Sequence, residues 1–497
     1  MNWKIILKSL KDRDMQKRIF AVVGIIVVYR FMAHIPIPLG DPQTLRQVLE
    51  SLFTSDSSQF MSFVNVLSGG ALANFSIMLV ALGPYINASI IMQLLTKAIP
   101  KLEVLNKEGE YGRKKINQMT RMLTLPLAII QSVGALYLVK QSASRVSGLG
   151  DITANSDLSG WILMVAAMTA ASMMLMWLGE LITEQNIGNG ISILITVGII
   201  ASLPRTIAGL VSTVFQGGQS WHVLGLTLPI SSTSALHLLI LTIVVLAVIV
   251  FVVKLNEAAS NLTVNYAKRV QGNRTYGGIT TILPVKLITA GVIPIIFAVA
   301  FLSVPSFAGQ IMSGSANPKM QEIGINLSTW FQTPSAQSFQ DGSWHAYIYP
   351  ITYFVLVFLF TFFYTSIAFN AQDIAENLQK QGGFIADIRS GKQTEKYLTK
   401  VVNRLTLFGA LALGLLAVVP IGAEIFLGNN LAVGGTSILI LVAVALDTLR
   451  KIESRALMIT YNQYDGTDFF QMPEHPKPKR LSRIRLKLKK SKNNTLQ

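Results

Sequence analysis

About ten apolar segments punctuate this 497-residue chain, and the loops that join them alternate between basic and nearly charge-free. A bilayer core about 30 Å thick needs roughly 20 apolar residues per helix. The segments 19–36, 76–95, 122–139, 161–179, 191–210, 237–253, 287–304, 349–369, 405–421 and 435–449 meet or approach that length. Such a chain is expected to fold as an all-α integral membrane protein, because a helix satisfies its own backbone where there is no water to do so.

Lysine and arginine mark the cytoplasmic side, and short loops count most. All but six of the 42 basic residues fall before the first segment, between segments two and three, after segments six and eight, or after Leu449. The six others are Arg30, Arg46, Lys140, Arg145, Arg205 and Lys319. An even number of spans therefore puts both termini in the cytoplasm. The first apolar run is long enough to span, and no small-residue cleavage site follows it, so it is expected to remain as a helix. The net charge of +17 becomes a positive cytoplasmic face, attractive to anionic lipid headgroups, nucleic acid or acidic proteins.

The ten spans divide into two five-helix halves, 1–210 and 211–465, followed by a basic tail over 466–497. Five is odd, so the halves enter the membrane in opposite directions, as in transporters built from inverted halves. Two loops stand out. The stretch from Phe60 to Phe75 contains Ser68-Gly69-Gly70 and is too short and broken to cross the bilayer. It suits a half-inserted segment, since irregular backbone is tolerated at depth only inside protein or facing water. The external stretch 305–348 is rich in Ser, Gly, Asn and Gln and reads as a solvated loop.

Much chemistry is absent. The chain has no cysteine and five scattered histidines, which leaves no thiolate site and argues against a metal centre. It carries no Walker-type GxxxxGK[ST] and no HExxH, so energy for any work is expected to come from a partner or a gradient. Charged residues avoid the middles of the spans: Glu180, Lys286 and Asp447 lie near cytoplasmic ends, and Glu424 just beyond segment nine. Coupled transporters keep ionisable groups at mid-membrane, so a secondary transporter is the weaker reading. A passive path closed by apolar side chains suits the composition better. A non-conducting scaffold or insertase remains a third class.

Several ordered motifs carry a resemblance. They are Leu82-Gly83-Pro84-Tyr85-Ile86-Asn87-Ala88-Ser89, Lys107-Glu108-Gly109-Glu110 with Gly112-Arg113-Lys114-Lys115, and Trp177-Leu178-Gly179-Glu180 with Gly188-Asn189-Gly190-Ile191-Ser192. Asn265-Tyr266-Ala267-Lys268-Arg269, Ala290-Gly291-Val292-Ile293-Pro294 and Gly434-Gly435-Thr436-Ser437 follow in the same order. From about residue 15 to 465 the chain resembles the SecY family, the central subunits of bacterial protein translocases. The resemblance implies ten helices forming a clamshell channel in the plasma membrane. Secretory polypeptides bearing signal sequences would thread its centre, and membrane helices would leave sideways into lipid. It implies SecE and SecG as membrane subunits, the ATPase SecA or a translating ribosome on the cytoplasmic loops, anionic lipids around them, and no catalytic residue or cofactor.

The resemblance also assigns residues. The apolar pore ring falls on Leu82, Ile86, Ile191, Ile195, Ile296 and Ile440. Two of its pairs are spaced i, i+4, which puts each pair on one helical face. The plug falls on 63–74, with Phe63, Ser68, Gly69, Gly70 and Asn74 among its residues. The lateral gate falls on Asn87, Gln93, Gln131, Ile288 and Thr289, and partner docking on Lys268, Arg269, Arg274, Arg389 and Lys392. A guanidinium such as that of Arg389 offers a planar fork of donors for carboxylate or phosphate.

Three departures from the family pattern stand out. Ile288 replaces a gate-lining asparagine, which should make the gate more apolar and shift the signal hydrophobicity it accepts. Ala386-Asp387 and Ser390 replace Pro-Gly and Pro around Arg389, which should loosen that loop. The basic tail is long, and clustered lysine and arginine would favour contact with ribosomal RNA.

Overall fold

Each expected span lies wholly or mostly on a helix in the computed structural model, which describes residues 12–37, 75–145, 158–215, 221–223, 226–228, 232–266, 269–271, 274–276, 278, 280–289, 291, 293–315, 317–334, 338–339, 342–386, 388–427 and 435–465. The first half comprises α1 (Arg13–Met32), α2 (Gly83–Ala98), α3 (Pro100–Lys107), α4 (Glu110–Arg145), α5 (Leu158–Glu184) and α6 (Gly190–Phe215). A short hairpin of β1 (Trp221–Val223) and β2 (Leu226–Leu228) leads to α7 (Ser232–Glu257). Then come β3 (Ala259–Tyr266), β4 (Arg269–Gln271), β5 (Arg274–Tyr276) and β6 (Thr280–Lys286). The chain continues through α8 (Ile293–Ser313), α9 (Pro318–Trp330), a 3-10 turn at Trp344–Tyr347 and α10 (Ile348–Ala368). It ends with α11 (Ala371–Lys380), β7 (Gly383–Ile385), α12 (Lys392–Leu427) and α13 (Gly435–Asp465). The stretches Glu110–Lys140, Leu158–Glu184, Ile293–Ser313, Trp344–Lys380 and Lys392–Gly422 each combine the length and hydropathy needed to cross a membrane.

Local chemistry sets the helix ends. The Asp12 carboxylate accepts from the Asp14 amide at the start of α1, and Asn317 and Asn370 cap α9 and α11 in the same way. Proline occupies the first turn of α2, α3 and α9, where its missing N–H costs nothing.

Two helices start later than expected. Helix α2 starts at Gly83, seven residues inside the expected span. Residues 76–82 instead run as turns tied to the end of α1. The Ile37 amide donates to the Phe75 carbonyl (2.8 Å), the Ile77 amide to Ile35 (3.0 Å), and Ser76 Oγ to the Met32 carbonyl (3.0 Å). Ser172 Oγ on α5 donates to the Ala81 carbonyl (2.9 Å), so this irregular backbone is satisfied inside protein. Helix α8 begins at Ile293, leaving Leu287 to Thr289 ahead of it.

The external stretch 305–348 is not a plain solvated loop. Helix α8 runs on to Ser313, and α9 folds back on it. A Cβ at Gly309 would lie 2.5 Å from the Ser328 amide nitrogen, and one at Gly324 2.4 Å from that of Ser313. Backbone meets backbone there, which only glycine permits. The polar composition hid a helical hairpin whose packing depends on lacking side chains.

Two cores result. The larger lies inside the helical body and draws on both halves, from Val22 and Leu175 to Leu413 and Val444. The smaller lies outside the spans: Leu262, Val264, Val285, Leu378, Ile385, Leu398 and Val402 pack between the strands, α11 and α12.

Candidate functional site

A helix solvated by hydrocarbon gains little by hiding an isoleucine, since lipid is as apolar as the side chain. Phe20, Phe31, Ile162 and Phe408 accordingly lie exposed on the outer faces. Aliphatic side chains gathered inside instead reflect close packing and the exclusion of water. Leu82, Ile86, Ile195, Ile296 and Ile440 are all buried in the larger core, and Ile191 is half-buried against it. They come from α2, α6, α8 and α13, and so from both halves. Leu82 is the residue before α2, and its carbonyl accepts from the Ile86 amide (3.0 Å), which keeps the two on one face.

The halves also meet along α8, which packs against α2 and α4. A Cβ at Gly134 on α4 would sit 2.4 Å from the Phe307 ring and 3.1 Å from Ile311. Tyr137 Oη, one turn on, donates to the Gly314 carbonyl (3.4 Å) at the end of α8. The sequence reading missed this close approach. A glycine within an apolar helix was its one available signal.

The residues expected at the gate separate into two groups. Asn87, Gln93 and Gln131 are half-buried on α2 and α4. Gln93 Nε2 donates to Ser89 Oγ (3.1 Å), while Gln93 Oε1 is buried without a partner among the described residues. Gln131 Oε1 lies 3.2 Å from where a Cβ on Gly83 would stand. Ile288 and Thr289 lie between β6 and α8. Ile288 is only 6% exposed and faces an apolar cleft with Val252, Leu255, Ile295, Leu413 and Leu439, all in the second half. Thr289 Oγ1 donates weakly to the Lys286 carbonyl (3.4 Å). Lys286 itself titrates below the usual lysine range, first because it is partly desolvated and then because Arg450 stands near, with Asp447 opposing.

The two loops expected to dock partners are one structure. β3 pairs antiparallel with β6 from Ala259↔Lys286 to Asn265↔Thr280, and along its other edge with β7 from Val264↔Ile385 to Tyr266↔Gly383. Arg269 and Arg274 sit at the ends of the β4–β5 ladder, opposite Tyr276 and Gln271. Lys268 and the plug residues Phe63, Ser68, Gly69, Gly70 and Asn74 lie outside the described residues, as does the tail beyond Asp465. Arg389 and Lys392 are exposed. The Arg389 carbonyl accepts from Thr394 Oγ1 (2.9 Å), and the Ile388 amide donates to Ile385 (3.1 Å). The loop is thus tied at both ends despite lacking the expected prolines.

Two fastenings near the helix ends escaped the sequence reading. Arg121 on α4 grips Glu180 on α5 with two bonds, Nε to Oε1 at 2.8 Å and Nη2 to Oε2 at 2.7 Å. Arg450 on α13 holds Asn256 at the end of α7 through its side chain (2.6 Å) and its carbonyl (2.8 Å).

Ten apolar segments on helices, two halves joined along α8, and aliphatic side chains from both halves in a shared core define a polytopic membrane protein of the channel type. Comparison with known proteins is more specific. The sequence profile of the SecY family matches residues 76–449, and the chain belongs to that family. Protein translocase subunit SecY of Streptomyces galbus is 38% identical over 463 residues, covering 92% of this chain and 98% of the relative. The SecY subunit of Corynebacterium glutamicum is 38% identical over 462 residues with the same coverage, and that of Mycobacterium bovis 36% over 463. Among solved structures, one described as a protein-conducting channel superposes with a TM-score of 0.60 at 17% identity, over 87% of this chain and 91% of that one. A canine Sec61 from a ribosome–channel complex superposes with a TM-score of 0.56 at 16% identity and the same coverage. At these identities the solved structures speak to the fold.

Proposed function

We propose that this chain is the channel-forming subunit of a bacterial protein translocase, a multi-pass membrane protein that moves polypeptides rather than transforming them. The observation that carries this reading is the shared aliphatic core, to which α2, α6, α8 and α13 of both halves contribute. Leu82, Ile86, Ile191, Ile195, Ile296 and Ile440 form its pore ring. Branched apolar side chains can close around an extended chain without hydrogen-bonding it, so the seal need not read sequence. The segment 63–74 serves as the plug, and Asn87, Gln93, Gln131, Ile288 and Thr289 line or support the lateral gate. The seam of α8 against α2 and α4 is where a signal sequence or membrane helix leaves for lipid.

Both termini and the β3–β6–β7 face are cytoplasmic, in keeping with the basic loops. That face receives SecA or a translating ribosome through Lys268, Arg269, Arg274, Arg389 and Lys392. SecE and SecG complete the membrane complex, and anionic lipids gather at its basic face. Residues 1–210 and 211–465 act as the two leaves of the clamshell, and 466–497 as a basic tail. The transporter reading lacks its main requirement, a set of convergent ionisable groups at mid-membrane.

Because the chain has no cysteine, one placed at Ile86 is unique. A secretory precursor with a single cysteine, stalled in transit, is expected to form a disulfide with it on oxidation, and only when the signal sequence is active. No disulfide at Ile86 or at the other ring positions, with the precursor demonstrably engaged, overturns the pore assignment.

A further inference from the structure

A groove of about 600 Å³ opens between α10 and α12 at their cytoplasmic ends, and none of its lining residues belongs to the pore ring or to β3–β7. Its polar wall carries Lys396, Lys400, Asn403 and Arg404, with Thr399 between them, and its apolar wall carries Phe362 and Leu407. The three cations are exposed and, among the described residues, form no ion pair within 4 Å. Glu395 also lines the groove and offsets one of them.

The positions 396, 400, 403, 407, 411 and 415 recur in steps of three and four, so they run along one helical face. That face changes character along its length. Lys396, Lys400 and Asn403 stand at the cytoplasmic end, while Leu407, Leu411 and Leu415 remain exposed further along the apolar stretch. Cations therefore give way to exposed leucines in the order in which a phospholipid presents its phosphate and then its acyl chains. On the facing helix, Phe362 continues into exposed Leu359, Val355 and Ile351.

We infer that this groove is a discrete binding site for one anionic phospholipid. Lys396, Lys400 and Arg404 hold the phosphate, Asn403 donates to headgroup oxygens, and Phe362 and Leu407 seat the first methylenes. The inference sharpens the general attraction of anionic lipid proposed above. A free phosphate would use the cations but leave the apolar continuation unused. An acidic protein would have no need of a cation row that runs into a lipid-facing stripe.

The test is native mass spectrometry of the full chain, extracted from vesicles of phosphatidylglycerol and phosphatidylethanolamine. The triple variant K396Q/K400Q/R404Q is compared with K97Q/K101Q/K114Q, which removes the same charge elsewhere. Each cation near the surface contributes about fivefold to binding, so losing all three is expected to weaken retention of phosphatidylglycerol by about a hundredfold in the first variant. Wild-type retention is expected in the second, and inorganic phosphate at millimolar concentration should not displace the lipid. Equal loss in both variants would reduce the effect to diffuse charge and overturn the site. So would displacement by phosphate, or loss of a co-purifying protein with the lipid unchanged. The measurement needs no translocation, so it can fail while the channel reading stands, and the reverse.

Discussion

Ile288 is walled in by Val252, Leu255, Ile295, Leu413 and Leu439 in a cleft with room for about one water, 20 Å³. Ile288→Asn would put an amide into that apolar setting at a cost of about 1–3 kcal/mol, and Ile288→Val should cost about 0.5–1.5 kcal/mol. We therefore expect the asparagine variant to melt at a lower temperature in detergent and to export a weakly hydrophobic precursor differently from wild type. An unchanged melting temperature would place the side chain in water rather than in the cleft. Arg389 is the opposite case. Its side chain is exposed, so Arg389→Glu should leave stability within about 0.5 kcal/mol while abolishing ATP-driven export into vesicles. Normal export by that variant would remove Arg389 from the docking face. Both residues were singled out through the family resemblance, and their surroundings were not legible in the sequence. Nothing in the spacing around Ile288 indicates that its neighbours come from α7, α12 and α13.

The helices were legible wherever apolar length alone decides the outcome. Their ends were not, because hydropathy registers only the part of a helix that lipid touches. Helix α4 starts twelve residues before its expected span and α12 thirteen, on charged turns that hydropathy counts as loop. Residues 76–82 are apolar and yet not helical, since their backbone finds partners in α1 and α5 instead. The α8–α9 hairpin was missed for a related reason: its contact is made of glycine, which carries no hydropathy signal. The approach of α4 to α8 at Gly134 makes a testable claim. Gly134→Leu cannot be accommodated without moving Phe307, so the seam should part and resting ion conductance in planar bilayers should rise, with a smaller rise for Gly134→Ala. A variant that is merely less stable, with silent bilayers, would make this contact packing and not gate.

The two largest cores differ in origin. The one within the helical body forms where the alternative solvent is lipid, so packing and hydrogen bonds decide it. The one around Val264 and Ile385 forms in water, where burial of each such side chain contributes about 1.5–3 kcal/mol. A charge at Val264 should therefore undo the outer core without unfolding the helices. Val264→Asp is expected to make trypsin cut both near Arg269 and near Lys392, while the spans stay protected. Cleavage at one of these places alone would mean that the strands are independent. Because β3 is shared, its neighbours cannot slip by a residue without turning every side chain to the wrong face. β6 runs on towards α8, and β7 into the turn that starts α12. If partners grip these loops as proposed, the sheet would act as a transmission: a load taken up at the β4–β5 tip and one taken up at Arg389 would reach the same two helices. Two unlike motors gripping different loops would drive the same stroke.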